Sequence, residues 1–121
     1  EGIILAHMLR LGYAVLLPFG NNQRYDMVID KGDGRLIKGQ CKTARMVNGC
    51  VTFSVSSVNG FTGRRSPYLG QVDVFWAYCP DTDRVYEIPA ASVGISEVRL
   101  RVDVARGGSK SNVRWAIDFL I

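Results

Sequence analysis

Asp33-Gly34 stands between two strand-like runs, Tyr25 to Asp30 and Arg35 to Thr43. No other feature limits the fold as strongly, because Asp-Gly between apolar runs is a strong hairpin signal. Strand side chains alternate between faces. Met27 and Ile29 therefore share a face on the first run, and Ile37, Gly39 and Cys41 share one on the second. That side suits a core. The opposite side carries Asp26, Val28, Lys38, Gln40 and Lys42, which is too polar for one. The loop fixes the register. A three-residue loop, Gly32-Asp33-Gly34, pairs Lys31 with Arg35 and sets Asp26 opposite Gln40, with Gly34 in the left-handed region. A two-residue Asp33-Gly34 turn would send Asp26 to the other face. The first arrangement is the one expected.

The remaining chain reads as an α+β pattern. Ile3 to Leu11 has helical apolar spacing at Ile4, Met8 and Leu11, and Gly12 stands in the usual stop position. Tyr13 to Leu17 reads as a short buried strand ended by Pro18, and Val51 to Val55 as another strand. Ser56 to Gly70 reads as a long polar loop. Val72 to Tyr78 and Arg84 to Ile88 form a second hairpin, and Val98 to Val102 adds an edge strand. Gly107 to Ser111 is a basic loop, and Val113 to Leu120 fits either a short helix or a strand. Trp76 and Trp115 read as core. The expectation is one domain over residues 1–121, with a helix packed on a mixed, mostly antiparallel sheet.

Composition narrows the function classes. The chain has 121 residues, 47% hydrophobic, and a formal charge of +4. That charge is a modest tilt towards polyanions. No apolar run approaches the roughly 18 residues that span a bilayer, so no membrane association is expected. There is no leader-like segment, and the chain starts at Glu1 instead of Met, which points to residues upstream. Cys41, Cys50 and Cys79 make an odd count without a Cys-x-x-Cys pair. This argues against a disulfide framework or a zinc site and for reduced thiols in the cytoplasm.

The polar hairpin face has two readings, a solvated ribbon or a site. As a site it suits phosphodiester hydrolysis, which needs a cation to neutralise developing charge and lower the pKa of a water. Mg²⁺ prefers oxygen ligands. Asp26 offers a carboxylate, Gln40 an amide oxygen and Cys41 its backbone carbonyl. Lys42 could hold the attacking water or stabilise negative charge. Asp73, ahead of an apolar run, reads as structural, and His7 as a surface or satisfied histidine.

Arg24-Tyr25-Asp26-Met27-Val28-Ile29-Asp30 followed by Gln40-Cys41-Lys42-Thr43 resembles the core motif of the PD-(D/E)XK nuclease superfamily, with Gln40 in place of the middle acid. The Gln-x-Lys form is similar to the branch that contains certain intron-encoded homing endonucleases. Glu1-Gly2-Ile3-Ile4-Leu5-Ala6, Leu11-Gly12-Tyr13, Pro18-Phe19-Gly20, Tyr68, Val72-Asp73-Val74-Phe75, Val85-Tyr86-Glu87-Ile88-Pro89 and Arg114-Trp115-Ala116 extend the match along nearly the whole chain. The resemblance implies a restriction-endonuclease-like fold. It implies Glu1, Asp26, Gln40 and Lys42 as the catalytic set, with Mg²⁺ as cofactor and Mn²⁺ as a substitute. Asp26, Gln40 and the Cys41 carbonyl would hold the metal, with Glu1 reaching it through water. The implied activity is site-specific cleavage of double-stranded DNA by a homo-oligomer, a dimer or tetramer. Arg24, Arg45, Arg64, Arg65, Lys110 and Arg114 are the expected DNA contacts. The alternatives are a structure-selective nuclease like the Holliday-junction resolvases, or a DNA-binding module of the same fold without activity.

Overall fold

A computed structural model describes residues 1–20, 23–58, 65–67, 71–94, 96–103 and 113–121, with backbone alone for 56–58 and 65–67. In chain order the elements are α1 (Gly2–Arg10), β1 (Ala14–Leu16), β2 (Met27–Asp30), β3 (Leu36–Thr43), β4 (Arg45–Val47), β5 (Cys50–Ser54), β6 (Ser56–Val58), β7 (Arg65–Pro67), β8 (Val74–Cys79), β9 (Arg84–Pro89) and β10 (Glu97–Arg101). Two short 3-10 turns lie at Ala90–Ser92 and Ala116–Phe119.

Helix α1 ends in a Schellman cap. Gly12, at φ +85°, lets the Gly12 N–H reach the Leu9 carbonyl at 3.0 Å and the Tyr13 N–H reach the Met8 carbonyl at 3.2 Å. The chain then reverses into β1, the edge of a five-stranded sheet ordered β1-β2-β3-β8-β9. The β3–β8 pair is parallel and every other pair in that sheet is antiparallel. The mixed, mostly antiparallel sheet is therefore present, and α1 covers one of its faces. Ile4 and Met8 of the helix pack there with Met27, Ile29, Trp76 and Val85.

The other face is covered by a second sheet of three antiparallel strands, ordered β10-β5-β4. Val51, Phe53, Val98 and Leu100 pack onto Phe75, Ala77 and Ile88, with Phe53 and Phe75 tilted at a centroid distance of 6.3 Å. This sheet was not expected, and β4 least of all. It begins one residue after β3, at a step marked by the buried Ala44, whose N–H carries the β3–β8 pairing one residue further by donating to the Tyr78 carbonyl at 2.8 Å.

Several sequence expectations need correction. β1 is an exposed edge and not a buried strand: Leu16 is 46% accessible. A three-residue strand gives no periodicity to separate the two. The segment from Ser56 is not all loop, because β6 and β7 pair with Ser57 opposite Ser66. Trp115 is 39% accessible and is not core. The segment Val113 to Leu120 is both things it was allowed to be. Its 3-10 turn is flanked by single bridges, Trp115 to Arg101 and Leu120 to Tyr86. Gly107 to Ser111 lies outside the described residues.

Candidate active site

The hairpin register is the expected one. Met27 faces Gly39, Val28 faces Lys38 and Asp30 faces Leu36, and both Gly32 and Gly34 have positive φ. The loop is tied by two side chains. Asp30 accepts the Gly32 N–H at 2.8 Å, and Asp33 accepts the Arg35 N–H at 3.0 Å. Close packing enforces the register as well. Gly39 sits against the face of the Trp76 ring, so only a residue without Cβ fits between Met27 and Val74 in the sheet.

Strand β2 starts at Met27, so Asp26 lies in a bend just before it. Its N–H donates to the Gly39 carbonyl at 2.9 Å, one residue out of step with the ladder. Its carboxylate Oδ2 accepts the Cys41 N–H at 2.7 Å. The side chain of Asp26 thus takes the place of the strand residue that would otherwise continue β2 alongside β3. It lies against the peptide that joins Gln40 to Cys41. In a strand, the N–H and C=O of one residue point to the same side. The Cys41 carbonyl therefore faces the same notch as the Asp26 carboxylate.

Gln40 and Lys42 are half-buried on β3, level with Phe75 and Ala77 in the parallel ladder. Alternation turns them towards the side of the second sheet, away from Cys41, which packs with the α1 cluster. Glu1, the N-cap of α1, is exposed and close to Asp26. Desolvation first, then the negative charge of Asp26 and a hydrogen bond to it, raise the Glu1 carboxyl above its ordinary range. The same two carboxylates act on Cys41. Burial is the main cause that pushes its thiol up to about 12, and the Asp26 charge, with a smaller contribution from Glu1, adds to it.

The structure therefore brings Glu1, Asp26 and the Gln40–Lys42 stretch to one corner of the sheet. Two carboxylates, one amide and one carbonyl are all oxygen donors. No group of three or more His, Cys, Asp or Glu side chains forms a metal cage among the described residues. A donor set with few carboxylates and room for water fits Mg²⁺ better than a zinc cage.

The expected DNA contacts are scattered. Arg24 is half-buried beside Tyr25, whereas Arg45 and Arg114 are exposed. Arg64 and Lys110 lie outside the described residues, and the side chain of Arg65 is not described. Asp73 is structural, as expected, but it is exposed and precedes β8. Its Oδ2 accepts the Lys38 N–H at 2.9 Å and its N–H donates to the Lys38 carbonyl at 2.8 Å, closing the mouth of the parallel pair. His7 is satisfied: Nε2 lies 3.0 Å from the Ile121 carbonyl, which can only accept, so Nε2 carries the proton. Arg99 and Arg101 stand out in the sequence as part of a basic last quarter, without a place on a face. Their alternation with Val98 and Leu100 was the available signal.

A family model for PD-(D/E)XK endonucleases matches residues 1–121. The chain belongs to the PD-(D/E)XK endonuclease family. Among solved structures, a bacterial homing endonuclease, I-Ssp6803I, is similar at a TM-score of 0.74 and 27% identity, over 98% of this chain and 82% of that one. No curated protein matches the chain. The restriction-endonuclease-like α+β fold and the nuclease assignment are thereby in place. No described helix is long and apolar enough to cross a membrane.

Proposed function

We propose that this PD-(D/E)XK family member is a metal-dependent endonuclease that cuts double-stranded DNA at specific sites in the homing manner. Glu1, Asp26, Gln40 and Lys42 form its catalytic set. The observation that carries this reading is the 2.7 Å bond from the Cys41 N–H to Asp26. It fixes a carboxylate at the strand that bears Gln40 and Lys42, so the groups are held before any substrate arrives.

Asp26, Gln40 and the Cys41 carbonyl would hold Mg²⁺, with Glu1 reaching it through water. Bound there, the cation neutralises the scissile phosphate and acidifies a water. Mn²⁺ has the same taste for oxygen donors and serves as a substitute. Asp26 orients the site through its backbone bond. Lys42 projects from the same strand face as Gln40, where an ammonium orients the attacking water and stabilises the added charge. Gln40 supplies an oxygen without a charge, which leaves a weaker cation site than an acid would. One compact site reads only a short stretch of duplex, so a dimer or tetramer on a pseudo-symmetric target suits site-specific cutting. Light scattering tests that assembly.

The deciding experiment incubates plasmid and branched DNA with the wild type, Asp26→Asn and Lys42→Ala, in Mg²⁺ or EDTA. Asparagine keeps an oxygen for the Cys41 N–H, so Asp26→Asn tests charge without removing the bond. Metal-dependent cutting lost in both variants is the expected result. Cutting that persists in both refutes the site. Cutting confined to branched DNA would make the protein a junction-selective nuclease, and no cutting by any form would leave a DNA-binding module.

A further inference from the structure

The outer face of the second sheet carries arginines in register. Val98 and Leu100 of β10 point inwards, so Arg99 and Arg101 point outwards. Arg99 is opposite Thr52, and Thr52 is opposite Arg45. Arg45 and Arg99 therefore flank one threonine, about 10 Å apart across three strands, and Arg101 follows Arg99 by about 6.5 Å along its strand. Arg114 joins them, since its carbonyl accepts the Arg101 N–H at 2.7 Å. A cavity of about 220 Å³ opens there, with Arg99, Arg101, Arg114 and Asn48 in its lining beside the apolar Val47, Cys50 and Val113.

Like charges in neighbouring rows destabilise a sheet unless something offsets them. Among the described residues of these three strands, Glu97 is the one carboxylate, and it pairs with Arg99 at 2.9 Å. Asp81 and Asp103 stand at the rim. Asp81 accepts the Met46 N–H at 2.9 Å, and Asp103 lies beside Gly49 at the β4–β5 turn. The Thr52 hydroxyl is spent on the Cys50 carbonyl at 3.2 Å. Thr52 is itself buried, so the charge lies on the exposed Arg45 and Arg99 to either side of it, and what would balance it is a polyanion from outside.

The connection to the candidate active site is short. β3 runs into β4 through Ala44, so Arg45 follows Lys42 by three residues, about 10 Å of extended chain. Gln40 and Lys42 project on the side of the sheet that bears β4, β5 and β10. Arg45 is thereby the member of the platform nearest to the candidate site along the chain.

We infer that Arg45, Arg99, Arg101 and Arg114 form a platform that binds the phosphate backbone of DNA beside the cleavage site, giving affinity without sequence preference. This rests on the nuclease reading for its partner, but its test does not need cleavage. A duplex of arbitrary sequence is bound in EDTA across a salt series and followed by fluorescence anisotropy, for the wild type, Arg99→Gln/Arg101→Gln and Arg10→Gln. Arg10 is an exposed arginine at the end of α1, on the opposite face of the five-stranded sheet from this platform.

The slope of log affinity against log salt changes by about 0.9 for each phosphate contact removed. The double variant should flatten it by roughly 2 and weaken binding about tenfold at 0.1 M salt, whatever the sequence. Its thermal midpoint should not fall, because Arg99 is exposed and Gln keeps the strand polar. An unchanged slope overturns the inference. So does an equal loss in Arg10→Gln, which would make the effect one of net charge. Loss of binding to polyglutamate with DNA binding intact overturns it too, by assigning the face to an acidic protein. If binding behaves as expected and the wild type never cuts, the platform stands and the nuclease reading falls.

Discussion

Gly39→Ala isolates the packing that sets the catalytic strand. A Cβ at Gly39 would overlap three carbons of the Trp76 six-membered ring, all well inside the 3.0 Å that real Cβ atoms keep. Trp76 has no accessible surface, and its Nε1–H donates to Glu87 Oε1 at 2.8 Å. Glu87 is itself held by Lys31 at 3.3 Å. The ring can turn away only by giving up that bond, which to a charged acceptor contributes about 1.5–3 kcal/mol. If the ring stays, β3 must shift, and overpacking of this kind costs about 1–3 kcal/mol. Replacing Gly by Ala returns less than about 1 kcal/mol of backbone entropy. The net loss is then about 1–2.5 kcal/mol, a sizeable share of a typical 5–15 kcal/mol stability. Urea unfolding measures it, and the emission of Trp76 reports the displaced ring in the native state. DNA cleavage should fall as well, because the Gly39 carbonyl holds the Asp26 N–H. In a Trp76→Leu background the same substitution should be close to neutral. An equal cost in both backgrounds, or a cost below about 1 kcal/mol in the wild type, refutes the clash as the cause.

Gln40→Glu adds a charge to the proposed cation site and should lower the half-saturating Mg²⁺ for cleavage roughly tenfold; an unchanged titration would place Gln40 outside it. The Cys41 thiol, pushed up to about 12, should resist iodoacetamide at pH 8 until the protein unfolds. The sign of its pH effect follows from a raised folded value. Below the ordinary thiol range near 8.5 nothing is lost, and above it the unfolded chain releases a proton that the folded chain keeps, so stability falls as pH rises. Cys41→Ala should remove about 1 kcal/mol of that fall by pH 10, after discounting for residual exposure, as read from paired urea curves. Asp73→Ala leaves the Lys38 N–H at the mouth of the β3–β8 pair to water, and should cost about 1 kcal/mol in the same assay.

The central hairpin was legible because three local rules agreed: alternation, the Asp-Gly signal and the demand of Gly34 for positive φ. The helix and its stop were legible for the same reason, with Ile4 and Met8 one turn apart and Gly12 at the cap. The second sheet was not. β4 is three residues long, and its strand character comes from pairing with β5, a contact that no local pattern carries. Trp115 misled because an aromatic beside apolar neighbours reads as core, while its exposure is decided by the course of a distant strand, β10. At the site, spacing supplied Asp26, Gln40 and Lys42 as candidates, and only family resemblance supplied Glu1. The parity argument set Asp26 opposite Gln40 by running the ladder one residue too far. The strand ends at Met27, and it is the side chain of Asp26 that carries the pairing on.

That early ending gives the site a physical basis. Had β2 continued past Met27, its backbone would have taken the Cys41 N–H and carbonyl into the ladder, and neither would remain for the site. Because it stops, one carboxylate satisfies the N–H at 2.7 Å and keeps its second oxygen free of that bond, beside a carbonyl with no strand opposite it. Fold stability and proposed chemistry therefore share one side chain. Asp26→Ala would confound the two, since it leaves a half-buried N–H without its acceptor as well as removing the charge. Asp26→Asn separates them: the expected outcome is a urea midpoint close to wild type with cleavage abolished. An asparagine variant that is both inactive and destabilised as much as alanine would mean that the carboxylate serves the strand alone. The loss of activity would then say nothing about metal.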